Sequence, residues 1–259
     1  MTYKQIKKKY RDERRSLSRE YKSKRAELRR EHLESLDAYY ESSGRRRPID
    51  PPKRSPLEEI GNSVTHGVGA VFAITAFVVM CVGADSPAEY VGAVLYFLGL
   101  FVMFTVSCLY HAFPHGSAVK RLFRRFDYSC IYLLIGATFA PILLCYVGGT
   151  FGITFLVVQW VIIAIGISLV GVFGPGRLRF IHIPLYLVLG WCGLLFLPGM
   201  IRNGDYSFLG YILGGGIIYS IGVIPFAINA RVSHFIWHFF VLAGAVVQWI
   251  GVFTCIYLN

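Results

Sequence analysis

The chain of 259 residues is 55% hydrophobic, and Asp, Glu, Lys and Arg together make up only 16% of it. Soluble domains carry about 25% charged residues, so this composition excludes an ordinary soluble domain and indicates a membrane protein. Residues 1–54 hold 18 of the 26 Lys and Arg and 9 of the 15 Asp and Glu, so a basic tail precedes a nearly uncharged remainder.

The tail is predicted to be helical. Residues 3–41 contain neither Pro nor Gly and are rich in strong helix formers, which predicts a basic cytoplasmic helix within residues 1–43. A thin apolar stripe runs along this helix and consists of Tyr10, Leu17, Tyr21 and Leu28, at spacings of 7, 4 and 7 residues. A surface helix and a weak coiled coil both fit this stripe. Residues 44–55 are rich in Pro and Arg and predict a linker.

Seven apolar stretches follow the linker, each close to the roughly 20 residues that a helix needs to cross a bilayer. They are residues 60–83, 89–111, 126–147, 151–173, 179–199, 207–228 and 233–256. The stretches are too long for barrel strands and their hydrophobicity does not alternate, which favours helices. The fold class is therefore predicted to be all-α, a polytopic seven-helix membrane domain over residues 56–259. Kinks or helix ends are expected at three prolines, Pro141, Pro184 and Pro225.

The basic residues of the short loops predict the orientation, because cytoplasmic loops are enriched in Lys and Arg. The second, fourth and sixth loops hold Lys120, Arg121, Arg124, Arg125, Arg177, Arg179 and Arg231, whereas the other three hold only Arg202. The N-terminus is therefore predicted in the cytoplasm and the C-terminus outside, in a multi-pass protein of the cell membrane.

The six cysteines are scattered through apolar stretches without a CxxC pair. This pattern argues against a disulfide framework and against a cysteine zinc site. Buried apolar thiols are the expected role.

Polar groups gather at one end of four predicted spans. They are Glu59, Asn62, Thr65 and His66 in the first, Ser107 and His111 in the second, Asp127 in the third, and His234 and His238 in the seventh. With the orientation above, all of them lie within about two helical turns of the inner membrane surface. Ionisable groups inside a membrane are costly and usually face the bundle interior, so a functional site is predicted at this depth.

Three of these histidines have the chemistry of a metal site. His234 and His238 are four residues apart and share one helix face, so their imidazoles can bind one ion, and His111 adds a nitrogen from another helix. Three protein ligands with an open position are typical of catalytic zinc. Asp127 is predicted to hold and deprotonate a water molecule, and Ser107 to orient it. Glu59, Asn62 and His66 are candidates for supporting the metal ligands, and helix capping and interhelical hydrogen bonds are their alternative roles. For His115, His182 and His32, no role in the site is expected.

The motifs E-x-x-N-x-x-T-H at 59–66, S-x-x-x-H at 107–111 with the following Asp127, and H-x-x-x-H at 234–238 resemble the hemolysin III branch of the progestin and adipoQ receptor (PAQR) family. The wider superfamily includes alkaline ceramidases. The resemblance covers residues 56–259 and implies zinc on His111, His234 and His238, with Asp127 at the metal water. The basic tail is a departure from the family core.

The resemblance implies a metal-dependent hydrolase of lipid amides or esters, similar to a ceramidase, on the cytoplasmic side of the bilayer. Two alternatives stay open. One is a receptor or signalling protein with structural zinc, and the other is a pore-forming, hemolysin-like protein. The expected partners are membrane lipid, as a substrate, and anionic headgroups or a protein bound by the tail. No nucleic-acid partner is expected.

Overall fold

A computed structural model describes residues 2–43, 50–228, 230 and 232–258 of the chain. Contacts divide the chain into two units, Met1–Arg47 and Pro48–Asn259. Most of the predicted linker and the predicted loop residue Arg231 lie outside the described residues.

The first unit contains one long helix, α1 (Tyr3–Ser42), as the sequence predicts. The second unit contains the helices α2 (Pro56–Gly83), α3 (Pro87–Ala112), α4 (Ala118–Pro141), α5 (Gly149–Phe173), α6 (Arg179–Trp191), α7 (Leu197–Asn203), α8 (Tyr206–Ala227) and α9 (Ser233–Val252). No β-strand occurs in the part of the chain that the structure describes. The all-α fold class is confirmed.

Seven helical segments among the described residues are long and apolar enough to cross a membrane. They are Pro56–Gly83, Pro87–Ala112, Ala118–Val147, Gly149–Phe173, Arg179–Asn203, Tyr206–Ala227 and Ser233–Tyr257. Two span ends are irregular, because α4 continues after Pro141 as a π-helical turn and α9 ends in another. The seven predicted spans are confirmed.

The start predicted for the third span is wrong by about two helical turns. Helix α4 begins at Ala118 rather than at residue 126, because the Ser117 hydroxyl accepts a hydrogen bond from the Lys120 backbone N–H and caps the helix. The basic residues assigned to the second loop therefore stand on the first turns of α4.

The fifth span is interrupted. Residues Cys192–Phe196 form a 3₁₀ segment between α6 and α7. Gly193 in this segment packs against the Phe139 ring, 3.2 Å from where a Cβ would lie. Gly190 and Gly193 lie on either side of Trp191, and Pro198 follows just beyond the segment. Glycine and proline both disfavour a continuous helix here.

The helices of the second unit close into a ring around an apolar core. Helix α2 packs on α3, and α3 packs on α4. Helix α4 then contacts α6, α6 contacts α8, α8 contacts α9, and α9 contacts α2. Helix α5 packs against α4. This order brings the start of α9 beside the start of α2, although about 175 residues separate them in the chain.

Candidate metal centre

Three histidines from two helices converge at one end of the ring. His111 comes from the last turn of α3, and His234 and His238 come from the first turns of α9. The Nε2 atom of His234 lies 3.3 Å from Nε2 of His111 and 3.3 Å from Nε2 of His238. The three candidate ligand atoms lie within 4.8 Å of one another, so the group could hold a metal ion.

The opposite ring nitrogens of two of these histidines have oxygen partners. The Nδ1 atom of His111 lies 2.6 Å from Oε2 of Glu59, and Nδ1 of His238 lies 3.2 Å from the backbone carbonyl oxygen of Asn62. An oxygen acceptor places the proton on Nδ1 and leaves the Nε2 lone pair free. The Nε2 lone pairs of His111 and His238 are therefore available to a shared cation next to Nε2 of His234.

The spacing of the nitrogens fits a small ion. Two nitrogens bound tetrahedrally at 2.0–2.1 Å are about 3.3 Å apart, which matches the Nε2–Nε2 distances from His234 to His111 and to His238. Among the described residues, no other group of three or more His, Cys, Asp or Glu side chains has this geometry. The arrangement therefore fits a divalent cation with three imidazole ligands.

The Glu59 carboxylate is itself held by a lysine. Lys120 of α4 is buried, and its Nζ lies 3.0 Å from Oε1 of Glu59 and 2.9 Å from the carbonyl oxygen of Phe113. A buried lysine needs such partners, because an unpaired charge away from water is costly. The sequence prediction missed Lys120, since it placed this residue in a loop. Ser117, three residues earlier, was the available signal for a longer helix.

The neighbouring Glu58 positions the start of α9. Its Oε1 accepts a hydrogen bond of 2.7 Å from the backbone N–H of Val232, and its other oxygen completes a capping box with Ser55. Val232 has φ 65°, a left-handed conformation that is unfavourable for a β-branched residue. The carboxylate of α2 thus stabilises the strained turn that orients His234.

The predicted catalytic carboxylate comes from α4. Asp127 is buried and its hydrogen-bonding neighbour is the hydroxyl of Ser107, also buried, one turn before His111 on α3. Asp127 is not among the side chains that could bind the ion directly. The Arg54 guanidinium interacts electrostatically with Asp127, and its buried Nη1 has no hydrogen-bond partner among the described residues. The sequence prediction missed Arg54, because it lies in the predicted linker.

His66 packs against the site without joining it. Its ring stacks on the His238 ring with centroids 3.7 Å apart and planes 23° apart. Its two buried ring nitrogens make no hydrogen bond within the described residues. The Asn62 side chain also lies beside the site, with its Nδ2 atom 3.3 Å from Nδ1 of His111.

The remaining histidines lie elsewhere. His182 is buried on α6, and its Nδ1 is 2.9 Å from the Tyr132 hydroxyl. His115 is exposed between α3 and α4, and His32 is exposed on α1.

An apolar cavity of about 90 Å³ lies in the middle of the bundle. Its lining includes Met103, Tyr219, Phe226, Trp237 and Val241. The Phe226 ring also packs on His234, with centroids 6.1 Å apart, and Trp237 immediately precedes His238. Phe226 therefore contacts both the cavity and the histidine cluster.

Seven apolar spans, with a histidine trio at one end of the ring in which His111 and His238 are buried and His234 is half-buried, define a multi-pass membrane protein with a candidate metal centre. A family model described as "Haemolysin-III related" matches residues 55–249. The chain is 33% identical over 192 residues to Hemolysin-3 of Bacillus cereus, a match that covers 73% of this chain and 87% of the relative. It is 32% identical over 205 residues to the Hemolysin-3 homolog of Bacillus subtilis (strain 168), covering 77% and 95%.

A similarity to an animal protein is weaker. The chain is 28% identical over 211 residues to the monocyte to macrophage differentiation factor of Homo sapiens, covering 79% of this chain and 87% of the relative. The chain belongs to the haemolysin III family, the branch of the PAQR family that the sequence motifs indicated. The family match begins at residue 55, so α1 lies outside it.

Proposed function

We propose that the protein is a zinc-dependent hydrolase of lipid amides or esters that acts at the cytoplasmic side of the cell membrane. The observation that carries this proposal is the convergence of three Nε2 atoms, two pairs of them 3.3 Å apart, beside an apolar cavity within a membrane domain. The resemblance to the wider superfamily that includes alkaline ceramidases suggests ceramide as the first substrate to examine.

Zinc is the ion that this ligand set favours. Three neutral imidazoles suit borderline ions, and three protein ligands leave a fourth position for water or substrate. The hydrogen bonds from His111 to Glu59 and from His238 to the Asn62 carbonyl are those that commonly orient zinc-bound histidines. Structural sites, in contrast, usually have all four positions filled by protein.

We propose a role for each of the polar side chains around the cluster. A bound zinc ion would polarise a carbonyl oxygen and make a water molecule more acidic. We assign Asp127 as the general base that takes the proton from this water and returns it to the departing nitrogen or oxygen. Ser107 holds the Asp127 carboxylate through its hydroxyl. Lys120 and Glu59 keep His111 in position.

A lipid substrate is supported by the surroundings of the cluster. The cavity next to His234 and His238 is apolar and offers space for part of a hydrocarbon chain. The ionisable groups named above lie at span ends, where the polar linkage of a lipid would lie. The buried Nη1 of Arg54 would meet oxygen atoms of the bound lipid.

The proposal is tested with the purified full chain in detergent, supplied with ceramide or phospholipid and analysed for released fatty acid. The His238→Ala variant should lose both zinc and hydrolysis. The Asp127→Asn variant should keep zinc and lose about 10²- to 10⁴-fold in hydrolysis, because only the general base is removed. Asp205→Asn is the matched control, since Asp205 accepts a hydrogen bond from Tyr146 on the other side of the bundle.

Two results would overturn the hydrolase. Zinc-loaded wild type that hydrolyses none of these lipids would favour the receptor with structural zinc. Release of dye from liposomes by wild type and by His238→Ala alike would favour a pore, the activity that the names of the Bacillus relatives suggest for those proteins.

A further inference from the structure

Helix α1 carries an 11-residue repeat that the membrane domain does not explain. Ile6, Leu17, Leu28 and Tyr39 follow one another at intervals of 11 residues, and Tyr10 and Tyr21 form a second series with the same interval. Eleven residues occupy three helical turns at about 3.67 residues per turn, close to the natural period of the α-helix. Apolar residues that recur with this period stay on one face over the whole length of α1.

This face is exposed and narrow. The side chains on it are between 54% and 77% exposed, and they are Tyr3, Ile6, Tyr10, Leu17, Tyr21, Leu28 and Tyr39. At 3.6 residues per turn all seven fall within an arc of about 60°. An amphipathic helix that packs on a core or lies on a membrane has an apolar face of roughly 100° or more, whereas a narrow stripe is typical of a coiled-coil seam.

The two flanks of the stripe carry opposite charges. One flank is basic over its length, with Lys7, Arg11, Arg14, Arg25 and Arg29. The other flank is mainly acidic, with Glu13, Glu20, Glu27 and Glu31, and is interrupted by Lys9 and Lys24. A helix that lies on an anionic membrane is expected to have basic residues on both flanks. The acidic flank therefore disfavours a lipid surface as the partner.

We propose that a second copy of this chain covers the stripe, so that two α1 helices form a parallel coiled coil and pair two membrane domains. In a parallel pair, the basic flank of one helix faces the acidic flank of the other along both edges of the seam. In an antiparallel pair, each flank faces its own kind and repels it. The charge pattern thus selects both the partner and its direction.

The heights of the charges agree with the parallel arrangement. Arg25 and Arg29 are within two residues, about 3 Å along the axis, of Glu27 or Glu31. Arg14 is within one residue of Glu13. Parallel pairing also brings together the C-terminal ends of α1, from which each chain continues into its membrane domain.

Cysteine cross-linking of the full chain in detergent tests the pairing. Leu28→Cys and Leu17→Cys should each give an oxidised dimer, because a parallel seam places each residue opposite its own copy. Arg19→Cys, which lies on the opposite face at the same height as Leu17, should not. The six native cysteines all lie in the second unit, so the unmodified chain shows the background. Dimer yields at the seam no higher than at Arg19→Cys would overturn the proposal.

Mixing differently tagged chains tests the direction. If one carries Leu17→Cys and the other Leu28→Cys, only the like pairs should cross-link. A dominant pair between Leu17→Cys and Leu28→Cys would show antiparallel helices and contradict the proposal.

Charge exchange separates a second copy from a lipid surface. Arg25→Glu with Arg29→Glu, and Glu27→Arg with Glu31→Arg, should each reduce the Leu28→Cys dimer, and all four changes together should restore it. The quadruple variant, which combines all four substitutions, has the same net charge as the wild type. If anionic vesicles covered the stripe instead, the added arginines would strengthen vesicle binding and leave the dimer yield unchanged.

Discussion

Residues of α2 hold two rings of the histidine cluster, because Glu59 accepts from Nδ1 of His111 and the Asn62 carbonyl lies beside Nδ1 of His238. The i,i+4 spacing of His234 and His238 and the shared depth of His111 were readable, because helical periodicity and loop charge determine both. The contacts that orient these rings were not readable, since they depend on which helices are neighbours. Glu59 on α2 contacts His111 on the neighbouring helix α3, and Glu58 rather than Glu59 completes the capping box at the start of α2.

The hydrogen bond between Glu59 and His111 gives a prediction at this scale. Glu59→Gln replaces the carboxylate that accepts from Nδ1 of His111 at 2.6 Å. We expect zinc affinity to fall about 10- to 100-fold, because partners of this kind orient metal-bound histidines and raise their basicity. Competition with a zinc chelator measures the change.

Glu89→Gln is the matched control for this substitution. Glu89 also lies in the first turn of a span and completes a capping box, with Ser86 of α3. It begins the helix that His111 ends, so it is far along α3 from the cluster. An equal loss of affinity in both variants would contradict the role assigned to Glu59.

Helix ends and helix contacts determine how the site is assembled. The sequence predicted seven spans, because length and hydrophobicity suffice for that, but it placed the start of α4 too late. Charged residues in the first turns of α4 lower its hydrophobicity without ending the helix, so a search for apolar stretches starts too late. The Ser117 cap was the signal for the true start. The 3₁₀ segment between α6 and α7 depends on packing against Phe139 and was not predicted.

The close approach of α3 and α4 gives a prediction at this scale. A Cβ atom added at Gly99 would lie 2.1 Å from Cβ of Ala137. Gly99→Ala should therefore force apart the helices that carry His111 and Asp127 and destabilise the protein by about 1–3 kcal/mol. Thermal unfolding in detergent measures the loss.

Gly210→Ala controls for the intrinsic effect of the substitution. Gly210 stands on α8, and a Cβ there meets nothing within 4 Å. Alanine favours a helix over glycine by roughly 1 kcal/mol, so this variant should be as stable as the wild type or more stable. Gly99→Ala that unfolds at the same temperature as Gly210→Ala would contradict the tight contact.

The membrane domain as a whole combines a ring of apolar helices with a histidine cluster at one end. The fold class and the family could be predicted, because composition and the order of the motifs can be read directly from the sequence. The closure of α9 onto α2 could not be predicted, since nothing in one sequence fixes the order of helices around a bundle. That closure brings His238 within 3.2 Å of the Asn62 carbonyl.

The orientation in the membrane remains a prediction at this scale. An odd number of spans places the two termini on opposite sides, and the basic loops favour a cytoplasmic N-terminus. Alkaline phosphatase fused after Asn259 should be active, and a fluorescent protein that folds only in the cytoplasm should stay dark there. The reverse pattern would place the histidine cluster at the outer surface.

The central claim is that His111, His234 and His238 bind one zinc ion, and metal analysis of the purified full chain tests it most directly. The account predicts about one zinc per chain in the wild type and in the His115→Ala control, whose histidine is exposed between α3 and α4. It predicts loss of that zinc in His111→Ala and in His238→Ala. Wild type without bound zinc, or zinc that both histidine variants retain in full, would contradict it.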